Sequence, residues 1–109
     1  MTWLALAAGL VLGAEPFTLA WDAPPECPDQ PAAAKAIHAL LRRAPKPGAP
    51  HVDARARLWR EARWRLHLET TVDGVHGARE LEGASCAEVA TATELIIALA
   101  IDPDALETP

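Results

Sequence analysis

The chain has 109 residues, a formal charge of −5, two cysteines and ten prolines. Half of the residues are apolar, which argues against a disordered chain, and the length allows one domain with one hydrophobic core. The absence of Asn excludes N-glycosylation, and Ser85 is the only serine available to a serine-nucleophile scheme, so composition alone points to no reaction or ligand.

The N-terminal segment predicts an export signal. Residues 3–12, WLALAAGLVL, form an uncharged apolar run that has the length of a signal-peptide core and is too short to span a bilayer. We therefore expect residues 1–14 to be a cleaved signal peptide. Residues 15–109 would then form a single exported domain, periplasmic or associated with the outer membrane, without a transmembrane segment. An N-terminal helix or strand of the domain is the alternative.

The segment after this leader predicts a strand followed by a helix. Residues 16–21 alternate in polarity, and the proline-rich residues 23–28 end this strand. Asp29 can cap a helix over residues 31–43, whose apolar side chains recur at helical spacing. The segment 45–50, PKPGAP, cannot continue a helix and predicts a linker.

Two runs of alternating residues follow and predict a β-hairpin. Apolar and polar residues alternate over residues 52–59 and again over residues 63–70. Such alternation is typical of a sheet with one buried and one solvated face. Asp73-Gly74 is a turn signal, and residues 75–83 supply a third, weaker strand.

The last predicted element is an apolar helix. Ser85 and Glu88 form a capping box at its start, and the helix ends at Asp102-Pro103. Its acidic residues and its length of about 16 residues indicate a core helix rather than a membrane span. We therefore expect a two-layer α+β fold in the order β-α-β-β-β-α. Its antiparallel sheet of about four strands carries both helices on one face.

The two cysteines, Cys27 and Cys86, predict a disulfide bond. In an oxidising compartment an even pair in a small domain usually forms a bridge, and closing a loop of about 60 residues is worth roughly 4 kcal/mol. The bridge would tie the start of one helix to the start of the other. The alternative is a reactive Cys86 thiol, because the first turn of a helix lowers the pKa of a thiol.

Basic residues are concentrated in and before the hairpin, since residues 42–65 carry eight of the ten lysines and arginines. On an open sheet face, arginines can bind a partner or an anion such as phosphate. The candidates for such a face are Arg55, Arg57, Arg63 and Arg65. The alternative, which the acidic total charge favours, is neutralisation by cross-strand ion pairs with Glu69, Glu80 and Glu82. We expect no nucleic-acid partner for an acidic, exported chain.

The other polar residues predict no catalytic or metal site. The four histidines lack ligand spacing, although His67 and His76 could approach each other across the hairpin as a surface metal site. The Ser85 hydroxyl is accounted for by its role as a helix cap. We therefore expect no catalytic residue, no metal and no cofactor.

Four segments together resemble a group of uncharacterised exported proteins of myxobacteria. They are WDAPPECP at 21–28, WRLHLE at 64–69, GARELEGASC at 77–86 and ALAIDP at 98–103. The resemblance covers nearly all of the chain after the leader. It implies a secreted or periplasmic domain with a Cys27–Cys86 bridge and no established activity.

The sequence thus favours a non-catalytic envelope domain that binds a protein or another envelope component. The first alternative is an anion-binding or small-ligand-binding module that uses the arginine-bearing sheet face. The second is an enzyme with Cys86 as nucleophile.

Overall fold

A computed structural model describes residues 15–42 and 47–107. The predicted signal peptide, residues 1–14, lies outside the described residues. The elements within them are β1 (Phe17–Asp22), α1 (Gln30–Leu40), β2 (Val52–Arg60), β3 (Trp64–Val72), β4 (Val75–Gly83) and α2 (Cys86–Ile101). Each corresponds to a predicted element, which confirms the order β-α-β-β-β-α. Only α1 is clearly shorter than expected, because the backbone of Leu41 leaves helical geometry, with a ψ of 67°.

The direction of β1 corrects the expected antiparallel sheet. The strand order is β1-β2-β3-β4, and β1 runs parallel to β2, whereas the other two neighbouring pairs are antiparallel. The chain between β1 and β2 contains α1, which packs on the sheet. Such a crossover brings the chain back to the end of the sheet where β1 began, so β2 runs in the same direction.

The core lies between the sheet and the two helices, which share one face. Alternate residues of the strands point into it, and Leu66 and Leu68 of β3 are almost completely buried. From the helix layer, Ile37 of α1 and Ile97 of α2 are fully buried against them. This packing confirms the two-layer α+β architecture, and among the described residues no further layer covers the other face of the sheet.

The start of α2 is held by a cap and by a covalent bond. The Ser85 hydroxyl accepts a hydrogen bond from the Glu88 N–H, and the Glu88 carboxylate accepts one from the Ala84 N–H. Glu88 thus reaches one residue further back than an ordinary capping box requires. Cys86, the first residue of α2, is bonded to Cys27, with 5.5 Å between the two Cα atoms.

The turn between β3 and β4 has the conformation that Asp-Gly predicts. Asp73 and Gly74 both have positive φ, and Val72 and Val75 flank them as a cross-strand pair. This two-residue turn sets the register of the whole β3–β4 ladder. Within the described ranges, neither helix is long and apolar enough to cross a membrane.

Candidate functional site

The uncovered face of the sheet carries most of the polar groups singled out in the sequence. Because side chains alternate along a strand, Arg55, Arg57 and Trp59 of β2 point to this face while the residues between them are buried. Arg65 and His67 of β3 point to the same side. Because the helices pack on the opposite face, these basic residues lie together on one open surface.

Two of the four candidate arginines are neutralised by carboxylates. The Arg65 guanidinium lies 3.3 Å from the Glu61 carboxylate and 3.2 Å from that of Glu82, and it approaches Glu80 at 4.0 Å. Arg63, in the turn between β2 and β3, lies 3.9 Å from Glu82. The expected cross-strand ion pairs thus form with Glu80 and Glu82 but not with Glu69. We refer to Arg63, Arg65, Glu61, Glu80 and Glu82 as the Arg65 network.

The other two candidate arginines have no such partner. Within the described ranges, no carboxylate lies within 4.0 Å of the guanidinium groups of Arg55 and Arg57. Arg57 instead lies over the ring of Trp59, 5.5 Å from its centroid, in a cation–π arrangement. We call Arg55, Arg57 and Trp59 the β2 strip. The four arginines therefore separate into an ion-paired group and an unpaired group.

His67, and not Arg55, contacts the carboxylate of Glu69. Glu69 is the direct cross-strand neighbour of Arg55, but its carboxylate lies 3.1 Å from His67 Nε2. On the other side, His67 Nδ1 lies 3.2 Å from the Glu80 carboxylate. The hydrogen bonds with Glu69 and then with Glu80 raise the pKa of His67 above its ordinary value of 6.5, against a smaller opposing effect of desolvation.

A shallow depression of about 420 Å³ lies beside the β2 strip. Arg55 and Arg57 line it together with Asp22 of β1 and with His67 and Glu69 of β3. Its wall thus carries side chains of both charges, together with apolar residues such as Trp21. A depression of mixed charge suits a complementary protein surface better than it suits a small anion, which needs convergent positive groups.

The disulfide accounts for both cysteines. Cys27 and Cys86 are bonded to each other, and the part of the chain that the structure describes contains no free cysteine. Both residues are buried. In this form Cys86 has no thiolate, so the chemistry considered for a nucleophile at the helix start requires prior reduction of the bridge.

The remaining polar candidates do not come together. His67 pairs across the ladder with Glu80, whereas His76 pairs with Thr71, so the two histidines do not face each other. Among the described residues, no group of three or more His, Cys, Asp or Glu side chains could hold a metal ion. The Ser85 hydroxyl is engaged in the α2 cap.

The role of His67 was missed in the sequence, although a signal for it exists. Asp73-Gly74 predicts a two-residue turn, and counting back from that turn places His67 opposite Glu80. The alternation of β3 puts Glu69 on the same face. A histidine between two carboxylates follows from these two patterns.

Comparison with known proteins adds no family assignment. No protein-family model matches the chain, and no curated protein is significantly similar to it. The functional argument therefore depends on the open sheet face itself.

Proposed function

We propose that the protein is an exported, non-catalytic binding domain whose open sheet face contacts another protein. The observation that carries this proposal is the β2 strip. It offers two unpaired guanidinium groups and a tryptophan, side by side on a face that none of the described elements covers. A rigid strand holds all three at fixed spacing.

The composition of the strip supports a protein partner. Trp and Arg are the residue types most enriched among the energetically dominant residues of protein interfaces. The stacking of Arg57 on Trp59 restricts both side chains before binding, which lowers the entropy lost on association. The carboxylates of Asp22 and Glu69 beside the strip allow complementary charges on the partner.

Anion binding is the second candidate, and the two unpaired arginines are the observation in its favour. The Arg65 network weakens it, because Arg63 and Arg65 are occupied by carboxylates. Only Arg55 and Arg57 are left to meet an anion, and Glu69 lies beside them.

Two features support export to the cell envelope. The apolar run at residues 3–12 has the length of a signal-peptide core, and a buried Cys27–Cys86 bridge suits an oxidising compartment. The intact mass of the protein from the host's envelope fraction tests this part of the proposal. We expect a mass without the leader and with no alkylation before reduction. A full-length mass with two alkylated thiols would contradict it.

Site-specific photo-crosslinking in the native host tests the binding face. We expect a crosslinking residue in place of Trp59 to give an adduct with one discrete envelope protein. The same residue in place of Ala87, which is exposed on α2, serves as the control and should give no such adduct. Arg55→Ala together with Arg57→Ala should reduce the adduct about tenfold, as expected for residues that dominate an interface.

Arg63→Ala is the matched control, because Arg63 is another of the four candidate arginines but is ion-paired. It should leave the adduct essentially unchanged. An equal loss in this variant, or adducts at Ala87 only, would overturn the proposal. Binding of inorganic phosphate that weakens with salt and requires Arg55 and Arg57 would favour the anion alternative instead.

A further inference from the structure

The outer edge of β4 has the properties of a strand that pairs with another strand. It is nine residues long, contains no proline and pairs with β3 residue for residue, without a bulge. Residues 75–80 are all exposed, and Val75 is 71% exposed. Monomeric proteins usually shorten, bulge or cover such edges because they otherwise pair with other chains.

The opposite edge of the sheet differs. β1 has six residues, and the side-chain amide of Gln30 donates to its Leu19 carbonyl oxygen. The indole N–H of Trp21 donates to the Pro28 carbonyl oxygen, which ties the loop after β1 to the strand. Among the strands described, β4 therefore presents the longer and more open edge.

The turn determines which backbone groups of β4 face outward. Residues that flank a two-residue hairpin turn form a hydrogen-bonded pair, and hydrogen-bonded and non-hydrogen-bonded pairs then alternate along the ladder. Val75 flanks the turn, so it and every second residue after it bond to β3. The N–H and C=O groups of His76, Ala78 and Glu80 therefore point to the open side.

We propose that β4 pairs antiparallel with β4 of a second copy, about a two-fold axis at Ala78. In this register His76 faces Glu80 of the second copy, so its imidazole can hydrogen-bond to that carboxylate, and the symmetry repeats this pair on the other side of the axis. On the helix side, the exposed Val75 faces Leu81 of the second copy, so two apolar side chains cover each other. Gly77 faces Arg79 of the second copy and leaves room for its long side chain.

Charge favours this register over the two that follow it along the strand. An axis at Arg79 would place two guanidinium groups opposite each other, and an axis at Glu80 would oppose two carboxylates. Like charges directly opposite on paired strands are destabilising. The axis at Ala78 avoids both and puts a small residue on the axis itself. The charged residues that would otherwise protect this edge thus avoid one another in a symmetric pair.

A disulfide across the axis tests the register. Hydrogen-bonded pairs in antiparallel sheets have Cα atoms about 5.5 Å apart, which lies within the range of a disulfide. We expect Ala78→Cys, with the Cys27–Cys86 bridge intact, to give a covalent dimer under mild oxidation. Ala20→Cys is the matched control, since Ala20 is exposed on the same face of the other edge strand, and it should stay monomeric.

Sedimentation of the wild-type protein, without an introduced cysteine, tests the association itself. We expect a reversible dimer at micromolar to millimolar concentrations, because an edge contact of this kind is small. Ala78→Pro should abolish it while preserving the fold, since the N–H that proline lacks points away from β3. His76→Glu should weaken it about tenfold by opposing two carboxylates.

Three results would overturn the proposal. The first is a wild-type chain that stays monomeric at about 1 mM, the upper end of the range in which we expect the dimer to form. The second is equal crosslinking of Ala20→Cys and Ala78→Cys. The third is a dimer that Ala78→Pro leaves intact. Because these measurements use the purified protein alone, they are independent of any partner on the β2 strip.

Discussion

At the residue scale, His67 organises the charges of the open sheet face. It holds the carboxylates of Glu69 and Glu80 at 3.1 and 3.2 Å. Glu69 contacts His67 and not Arg55, whose guanidinium is available to a partner. Both carboxylates stabilise the protonated form of His67. The charge of this imidazole therefore contributes to the charge balance of the open face.

This environment predicts a pH-dependent contribution of His67 to stability. Folding raises the pKa of His67 above 6.5, so its contribution is fully present below about pH 6.5 and is lost as the pH rises through the raised value. We expect His67→Gln to lower the thermal midpoint more at about pH 5.5 than at about pH 8.5. Thermal unfolding at the two pH values measures this.

The control for His67 is His76→Gln, because His76 contacts Thr71 rather than a carboxylate. Its effect on the midpoint should be nearly the same at both pH values. A destabilisation by His67→Gln that does not change with pH would contradict the role assigned to the two glutamates.

At the element scale, the junction between β4 and α2 leaves little room for a side chain at Gly83. A Cβ atom added at Gly83 would lie 2.7 Å from Glu88 Oε1 and 3.0 Å from Val89 Cγ1. Glu88 cannot move away freely, because its carboxylate accepts the hydrogen bond from the Ala84 N–H. The end of the strand and the start of the helix are thus fitted to each other.

We therefore expect Gly83→Ala to destabilise the fold by about 1–3 kcal/mol, as overpacking of a core does. For a domain of this size that corresponds to a fall of roughly 4–8 °C in the thermal midpoint per kcal/mol. Gly77→Ala is the matched control, because a Cβ at that position meets only Thr70 Oγ1 at 3.7 Å. It should change stability by less than about 0.5 kcal/mol, and an equal loss in both variants would contradict this account.

At the scale of the whole molecule, the disulfide joins parts of the chain that are far apart in sequence. Cys27 precedes α1 and Cys86 begins α2, 59 residues later. The bridge therefore holds the two helices together at one end of the layer above the sheet. In the chain-entropy account such a loop is worth about 4 kcal/mol, a large part of the stability of a small domain.

This account predicts that Cys27→Ala together with Cys86→Ala lowers the free energy of unfolding by about 4 kcal/mol under oxidising conditions. Urea denaturation with and without reductant measures the loss. The wild-type protein in reductant should behave like the variant, since both lack the crosslink. Equal stabilities of the variant and the oxidised wild-type protein would show that the bridge contributes little.

Most of the secondary structure could be predicted from the sequence because its signals are local. Period-2 alternation identified β2 and β3, Asp73-Gly74 identified the turn, and Ser85 with Glu88 identified the start of α2. The direction of β1 could not be predicted in this way. The side chains of a six-residue strand alternate in the same way in a parallel and in an antiparallel pair. The direction of β1 is therefore set only by how the α1 crossover packs.

The position of the candidate site could be predicted from the sequence, but the ion pairs within it could not. Alternation in β2 and β3 placed Arg55, Arg57 and Arg65 on the open face. Which of them would be neutralised depends on competition among neighbours. Glu69 has Arg55 opposite it but bonds to His67, and only the side-chain geometry of three adjacent strands reveals this choice.

By itself, the sequence determined the order of the elements and the buried face of each strand, because these depend on residues that are close along the chain. It also determined the pairing of the two cysteines, because each has a single possible partner. The tertiary structure alone decided the mixed sheet, the division of the arginines into two groups and the open edge of β4. Each of these depends on which distant residues come to lie side by side, and that is set by how the layers pack.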